Sequence, residues 1–300
     1  MRIVSLVPHA TELLFALGLG PEVVAVTHEC DHPPAALERP RITRDVLPGD
    51  LSAGEIDAAV RERTLEGEAI YELDREALAA LEPQLIVTQA LCPVCAVSYE
   101  EVAELAERLP SRPRVIALDP KTLEETLGDV ATLAEATGRH AQGTELVRDA
   151  ERRIERVALA VKGRRRLRVA ALEWLDPVYA AGHWTPELIE LAGGEDVLGD
   201  AGAPSQTVSW EAVAAAEPEV VVVMPCGYDA PRAHAEAVTY AGELARLNAG
   251  RIVAVNASAY FSRPGPRLID GLELLGHILH PEELPSAPAE ALAVHTATAV

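Results

Sequence analysis

Four cysteines hold the most reactive side chains of this 300-residue sequence, and each lies in a short stretch that follows an apolar, strand-like run. Thr27-His28-Glu29-Cys30-Asp31-His32-Pro33 follows Val26, and Gln89-Ala90-Leu91-Cys92-Pro93-Val94-Cys95 follows Thr88. In the second half, Glu173-Trp174-Leu175-Asp176-Pro177 follows Leu172, and Met224-Pro225-Cys226-Gly227-Tyr228 follows Val223. Thiolates are soft ligands and a Cys-x-x-Cys pair can place two on one ion. Cys30, Cys92, Cys95 and Cys226 are therefore candidate ligands for zinc or an iron–sulfur cluster, with His28 or His32 able to complete a three-cysteine set. The competing reading makes Cys30 and Cys226 small buried residues and Cys92/Cys95 a chance or redox pair, because one Cys-x-x-Cys without a second is weakly diagnostic.

Other residue types in these stretches suit a bound ligand. His28 and His183 each read first as ordinary surface or capped histidines, and their neighbours Cys30 and Trp184 add the reading of ligand contacts. Glu29 and Glu173 could contact a ligand or move protons, but neither has a nucleophile at diagnostic spacing, and no GxSxG, Walker loop or HExxH occurs. Aromatic residues make up only 4% of the chain, yet Trp174, Trp184, Tyr228, Tyr260 and Phe261 fall in loops of the second half. Some would cover core edges and the rest could stack on a flat ligand. Arg263, in a proline-stiffened run from Tyr260 to Arg267, could meet a carboxylate or phosphate, or stay solvated on a rigid turn.

Alternating strand and helix patterns position these stretches, so the fold class is α/β with parallel sheets. Strands are expected at 2–7, 23–26, 85–88, 115–118, 168–172, 220–223 and 252–255, and helices at 10–17, 187–191 and 268–278. Helical spacing over 123–161, interrupted at Thr137-Gly138, reads as two helices, the second long. This divides the chain into an N-terminal lobe at 1–120, connecting helices at 121–165, a C-terminal lobe at 166–280 and an Ala/Pro-rich disordered tail at 281–300. Residues just beyond the carboxyl ends of parallel strands face ligand crevices, so a cleft between the lobes is expected.

Composition narrows the partners. The 26 Lys+Arg against 47 Asp+Glu give a formal net charge of -21, which opposes a phosphate backbone and argues against nucleic acid. No apolar run reaches the roughly 18 residues of a membrane helix, so no membrane insertion is expected. Met1-Arg2-Ile3-Val4 leads straight into a strand-like run without the apolar region of a secretory signal, which reads as cytoplasmic.

The opening Ile3-Val4-Ser5-Leu6-Val7-Pro8-His9-Ala10-Thr11-Glu12-Leu13-Leu14-Phe15-Ala16-Leu17-Gly18 resembles that of the cobalamin and ferric-siderophore binding proteins of ABC importers. Leu81-Glu82-Pro83-Gln84-Leu85-Ile86-Val87-Thr88 and Ala216-Glu217-Pro218-Glu219-Val220-Val221 resemble the approach to a strand in the same family. The resemblance covers about residues 1–280. It implies two Rossmann-like lobes joined by a long α-helix, little hinge motion, and ligand held in the cleft. His9 stands where that family has a small residue and joins the candidate ligand contacts. The cysteine-bearing loops and Arg263-Pro264-Gly265-Pro266 look like a cytoplasmic branch, for which docking to an ABC permease is not expected. The leading expectation is a binder of a metal-containing cofactor, cobalamin-like or an iron chelate, against Cys/His and aromatic loops. A zinc or iron–sulfur metalloenzyme or redox enzyme is the alternative.

Overall fold

Short runs rich in β-branched residues become the strands at the centre of each half of the chain. The computed structural model describes residues 1–49, 51–66, 68–90, 99–287, 289 and 291–295. The chain divides into two units, Met1–Pro120 with Glu124–Val147 and Lys121–Leu123 with Arg148–Val300. The helical stretch expected as a connecting domain is thus shared out between the units.

The first unit contains β1 (Ile3–Ser5), α1 (Pro8–Ala16), β2 (Val23–Ala25), β3 (Thr43–Asp45), α2 (Ala53–Glu66), β4 (Tyr71–Leu73), α3 (Arg75–Ala80), β5 (Leu85–Gln89), α4 (Tyr99–Arg108) and β6 (Arg114–Leu118). The chain continues through α5 (Leu123–Thr137) and α6 (His140–Ala160). The sheet has order β2-β1-β5-β6 and every pairing in it is parallel, with Ile3 opposite Leu85 and Val87 opposite Ile116.

Because strand side chains alternate between faces, consecutive apolar residues feed two cores. Ile3, Leu85, Val87, Ile116 and Leu118 join Leu13, Leu14 and Leu17 of α1 and Val130, Leu133 and Ala134 of α5 on one face. Val4, Ile86 and Val115 join Leu78 of α3 and Val102 and Ala106 of α4 on the other. Each fully buried Leu or Ile adds about 1.5–3 kcal/mol over its exposed state. β3 and β4 form a separate antiparallel pair, with Thr43 opposite Leu73 and Asp45 opposite Tyr71.

The second unit contains β7 (Leu167–Leu175), β8 (Val178–Ala180), α7 (Thr185–Leu191), β9 (Gly194–Asp196), β10 (Gln206–Thr207), α8 (Trp210–Ala215), β11 (Val220–Val223), α9 (Ala230–Thr239), α10 (Ala241–Arg246), β12 (Arg251–Val255), α11 (Ala257–Tyr260), α12 (Leu268–Leu279) and β13 (Ala291–Ala293). Its sheet runs β10-β8-β7-β11-β12-β13, with β9 also on β7. The central β7, β11 and β12 are parallel, and β8, β10 and β13 are antiparallel additions.

The expected disordered tail is corrected at its end: 291–293 pair with 253–255, and Val294 is 6% exposed within the unit's core. An otherwise open edge of β12 supplies unpaired backbone groups, and pairing with them orders a segment whose own side chains bury little.

Candidate functional site

In the first unit the residues after β1 and β2 form a closely satisfied cluster. Cys30 is 1% exposed and belongs to the apolar core beneath α1. Its Sγ lies 3.1 Å from Thr11 Oγ1 and 3.4 Å from Thr27 Oγ1, and Thr11 in turn donates to Ser5 Oγ at 2.8 Å. Among the described residues Cys30 is thus a core thiol flanked by two threonine hydroxyls. His9, in the first turn of α1, is 2% exposed and is not an open ligand contact.

The β3–β4 pair engages the remaining groups of that loop. Thr43 Oγ1 accepts from the His28 backbone N–H at 3.1 Å and lies 2.7 Å from its Nδ1. The His28 ring stands 5.0 Å from that of Tyr71, whose hydroxyl donates to Glu29 Oε1 at 3.1 Å. Cys92 and Cys95 lie outside the described residues. Among those described, no three His, Cys, Asp or Glu side chains come together in a way that could hold a metal.

The second unit carries a different arrangement at the carboxyl ends of β7 and β11. Between β7 and β8 the register passes from Leu172–Ala180 to Trp174–Tyr179, so Glu173 is the extra residue of a β-bulge. Bulges re-aim side chains and recur beside functional sites. Ser205 donates to Glu173 Oε2 at 2.5 Å, and Glu173 O accepts from Cys226 N at 3.0 Å. Burial pushes the Glu173 carboxyl up to about 7, against the opposing effect of the Ser205 hydroxyl.

Ser205 is held by a loop with little freedom. A Cβ on Gly182 would lie 2.5 Å from Ala203 O and 2.6 Å from Ser205 N, and one on Gly199 would strike Ala181 O. His183 takes φ +52°, the left-handed region, donating to Ala203 O at 2.6 Å while its carbonyl accepts from Gly202 at 2.8 Å. Such backbone strain persists only where the surroundings over-determine it.

Beside Glu173, the half-buried Trp174 meets Tyr228 edge-on with centroids 5.4 Å apart, and the Arg232 guanidinium covers the Tyr228 ring at 3.8 Å. Tyr228 itself is buried, so it backs Trp174 and leaves Trp174 as the more open ring of the pair. Asp229 caps α9 by accepting from Arg232 N, which places Arg232 one turn after Tyr228. Cys226 is exposed, and Arg263 is half-buried.

Two more of the expected ligand-stacking aromatics are structural. Trp184 is 5% exposed and its indole N–H donates to Phe261 O at 2.8 Å. Phe261 is 2% exposed, and its ring fills the space a Cβ on Gly271 would need. Sequence reasoning missed Thr43, Tyr71, Ser205 and Arg232. For Arg232 a signal existed, since Asp229-Ala230-Pro231 is a helix start one turn beyond Tyr228. Ser205 follows an irregular Gly/Ala/Pro loop with no pattern to read.

A family model for periplasmic binding proteins matches residues 3–251. The chain belongs to that family. Among the relatives of this binding protein is the vitamin B12-binding protein of Vibrio cholerae, 26% identical over 279 residues that cover 91% of this chain and 86% of the relative. The crystal structure of the periplasmic vitamin B12-binding protein of Vibrio cholerae superposes with a TM-score of 0.67 at 25% identity, covering 93% and 96% of the two chains. A periplasmic haem-binding protein from Pseudomonas aeruginosa gives 0.70 at 21% identity over 99% of both chains, a likeness of fold. Parallel sheets carrying helices are thus the family's architecture in this chain. No helix among the described residues is long and apolar enough to cross a membrane.

Proposed function

We propose that this chain is a substrate-binding protein for a corrinoid, held by loops at the carboxyl ends of the parallel strands. The observation that carries the reading is the match, along nine-tenths of the chain, to relatives named vitamin B12-binding proteins. It favours a corrinoid over haem because the relatives matched in sequence carry the vitamin B12 name, while the haem-binding structures, 19% to 24% identical, are a likeness of fold. Trp174, backed by Tyr228, supplies an aromatic surface for a macrocycle, and Glu173 beside it supplies a hydrogen-bonding group for the rim. No group of described residues favours the iron–sulfur and zinc reading.

Membership of the family supports delivery to an ABC importer, and the expectation against permease docking finds no support in it. The test is direct. Purified protein is mixed with hydroxocobalamin, and in parallel with haemin, under reducing and oxidising conditions, then passed through size exclusion with absorption recorded. Co-elution and a spectral shift with the corrinoid are expected; co-elution with haemin alone, or with neither, overturns the proposal.

A further inference from the structure

Glu173 has features that its place in the fold does not call for. A strand-end residue in a sheet of Val, Ala and Leu need not be acidic, and a carboxyl group whose burial raises its pKa costs stability at neutral pH. It stands out of the β7 ladder at a bulge, one oxygen engaged by Ser205 on a loop that Gly182, Gly199 and the strained His183 backbone hold in place. The other oxygen, Oε1, accepts no hydrogen bond among the described residues, and the residue is half-buried, next in sequence to Trp174 of the Trp174–Tyr228 pair. A built support under a carboxyl group with one oxygen left over is the geometry of a recognition contact.

We infer that Glu173, positioned by Ser205, is a specificity-determining contact that accepts a hydrogen bond from an amide-bearing ligand rim and turns away a carboxylate-bearing one. The inference rests on the corrinoid reading and deepens it by naming the rim chemistry. A half-buried carboxylate paired with a rim amide N–H makes a charge-assisted hydrogen bond, whereas a rim carboxylate brought to the same oxygen sets two like charges against each other. Sites built around a buried polar group reject the wrong partner more sharply than apolar ones do.

Two corrinoids with one macrocycle separate these effects: dicyanocobinamide, with an amide rim, and dicyanocobyrinic acid, with a carboxylate rim. Titration calorimetry at pH 8, where Glu173 is mainly ionised, compares wild type, Glu173→Gln and Ser205→Ala, with far-UV circular dichroism and melting as checks of folding. Wild type is expected to prefer the amide rim by at least about tenfold. Glu173→Gln should cut the preference about tenfold, chiefly by tighter binding of the carboxylate rim. Ser205→Ala should cut it less, and it carries the test alone if Glu173→Gln does not fold. Unchanged preference in the folded variants overturns the inference while leaving the corrinoid reading intact. If wild type binds neither corrinoid, the reading itself fails and the inference falls with it.

Discussion

The loops after β1 and β2 in the first unit and those after β7 and β11 in the second hold equally reactive residue types in opposite environments. In the first, each conspicuous group already has a neutral partner: Cys30 meets Thr11 and Thr27, His28 meets Thr43, and Glu29 meets the Tyr71 hydroxyl. In the second, Glu173 is shifted by burial, has one hydroxyl on one oxygen, and sits against a loop with no slack. Cysteine and histidine advertise chemistry by type alone, but enclosure and partners decide whether it is available. A common glutamate at a bulge carries the raised carboxyl pKa and the hydroxyl support.

The largest test of that contrast is Gly182→Ala. The added methyl must displace backbone at Ala203 or Ser205, and flexible side chains cannot absorb the clash. We expect a loss of about 3 kcal/mol in denaturant unfolding, together with a fall of the Glu173 pKa toward ordinary values as the loop opens. A loss below about 1 kcal/mol with an unchanged Glu173 titration by NMR would mean that the loop is not the rigid support described.

Next in size is Trp184→Phe, which keeps most of the buried ring and removes the donor to Phe261 O. Leaving that carbonyl unpaired should cost about 2 kcal/mol. Because the effect is structural, ligand affinity measured on the folded fraction should stay within about twofold; a selective loss of binding would restore Trp184 as a ligand contact.

How far these environments were legible before the structure differs between elements. Ile3, Val4, Leu85, Ile86, Val220 and Val222 lie in apolar runs buried on both faces, and such runs name their strands directly. Helices α5 and α6 were readable from their own apolar spacing, including the break at Gly138 with φ +70°. The β3–β4 pair was not, because Thr43-Arg44-Asp45 and Tyr71-Glu72-Leu73 are half-polar triplets far apart in sequence, with a pairing set only by the tertiary fold. Candidate site residues came from position after strands, which singled out Glu173 and Trp174 along with Cys30. That rule cannot separate a residue pointing into the core, such as Cys30, from one left available. It also cannot find Ser205, whose role comes from a loop closing across the sheet.

Asp129 tests whether a raised carboxyl pKa is by itself a mark of function. Burial, then repulsion from Glu125 and Asp119, pushes its carboxyl up to about 7, and its Oδ2 has no hydrogen-bond partner among the described residues. The folded pKa lies above the unfolded value of 3.8, so the native state is penalised progressively as pH rises from about 4 to about 7. Asp129→Asn should therefore add nothing near pH 3.5 and about 1 kcal/mol at pH 8 once solvent screening is allowed for, and less in 1 M salt. A gain independent of pH would show that packing, not charge, explains the change. A loss of corrinoid affinity in Asp129→Asn would place this acid beside Glu173 as a functional group and blur the contrast between the units.

The smallest effects belong to the cysteines and cut the comparison most finely. Cys30→Ala removes a buried sulfur and its contacts with Thr11 and Thr27, at an expected cost of about 1 kcal/mol. Cys226→Ala alters an exposed side chain and should stay within about 0.5 kcal/mol of wild type. Zinc and iron per chain, measured by elemental analysis after anaerobic purification, should be the same in Cys30→Ala as in wild type where the sulfur serves the core contacts with Thr11 and Thr27. A drop in metal content on that substitution would mean that Cys30 leaves the core to act as a ligand. The first unit would then be as chemically available as the second, and the argument from enclosure would fail at its clearest case.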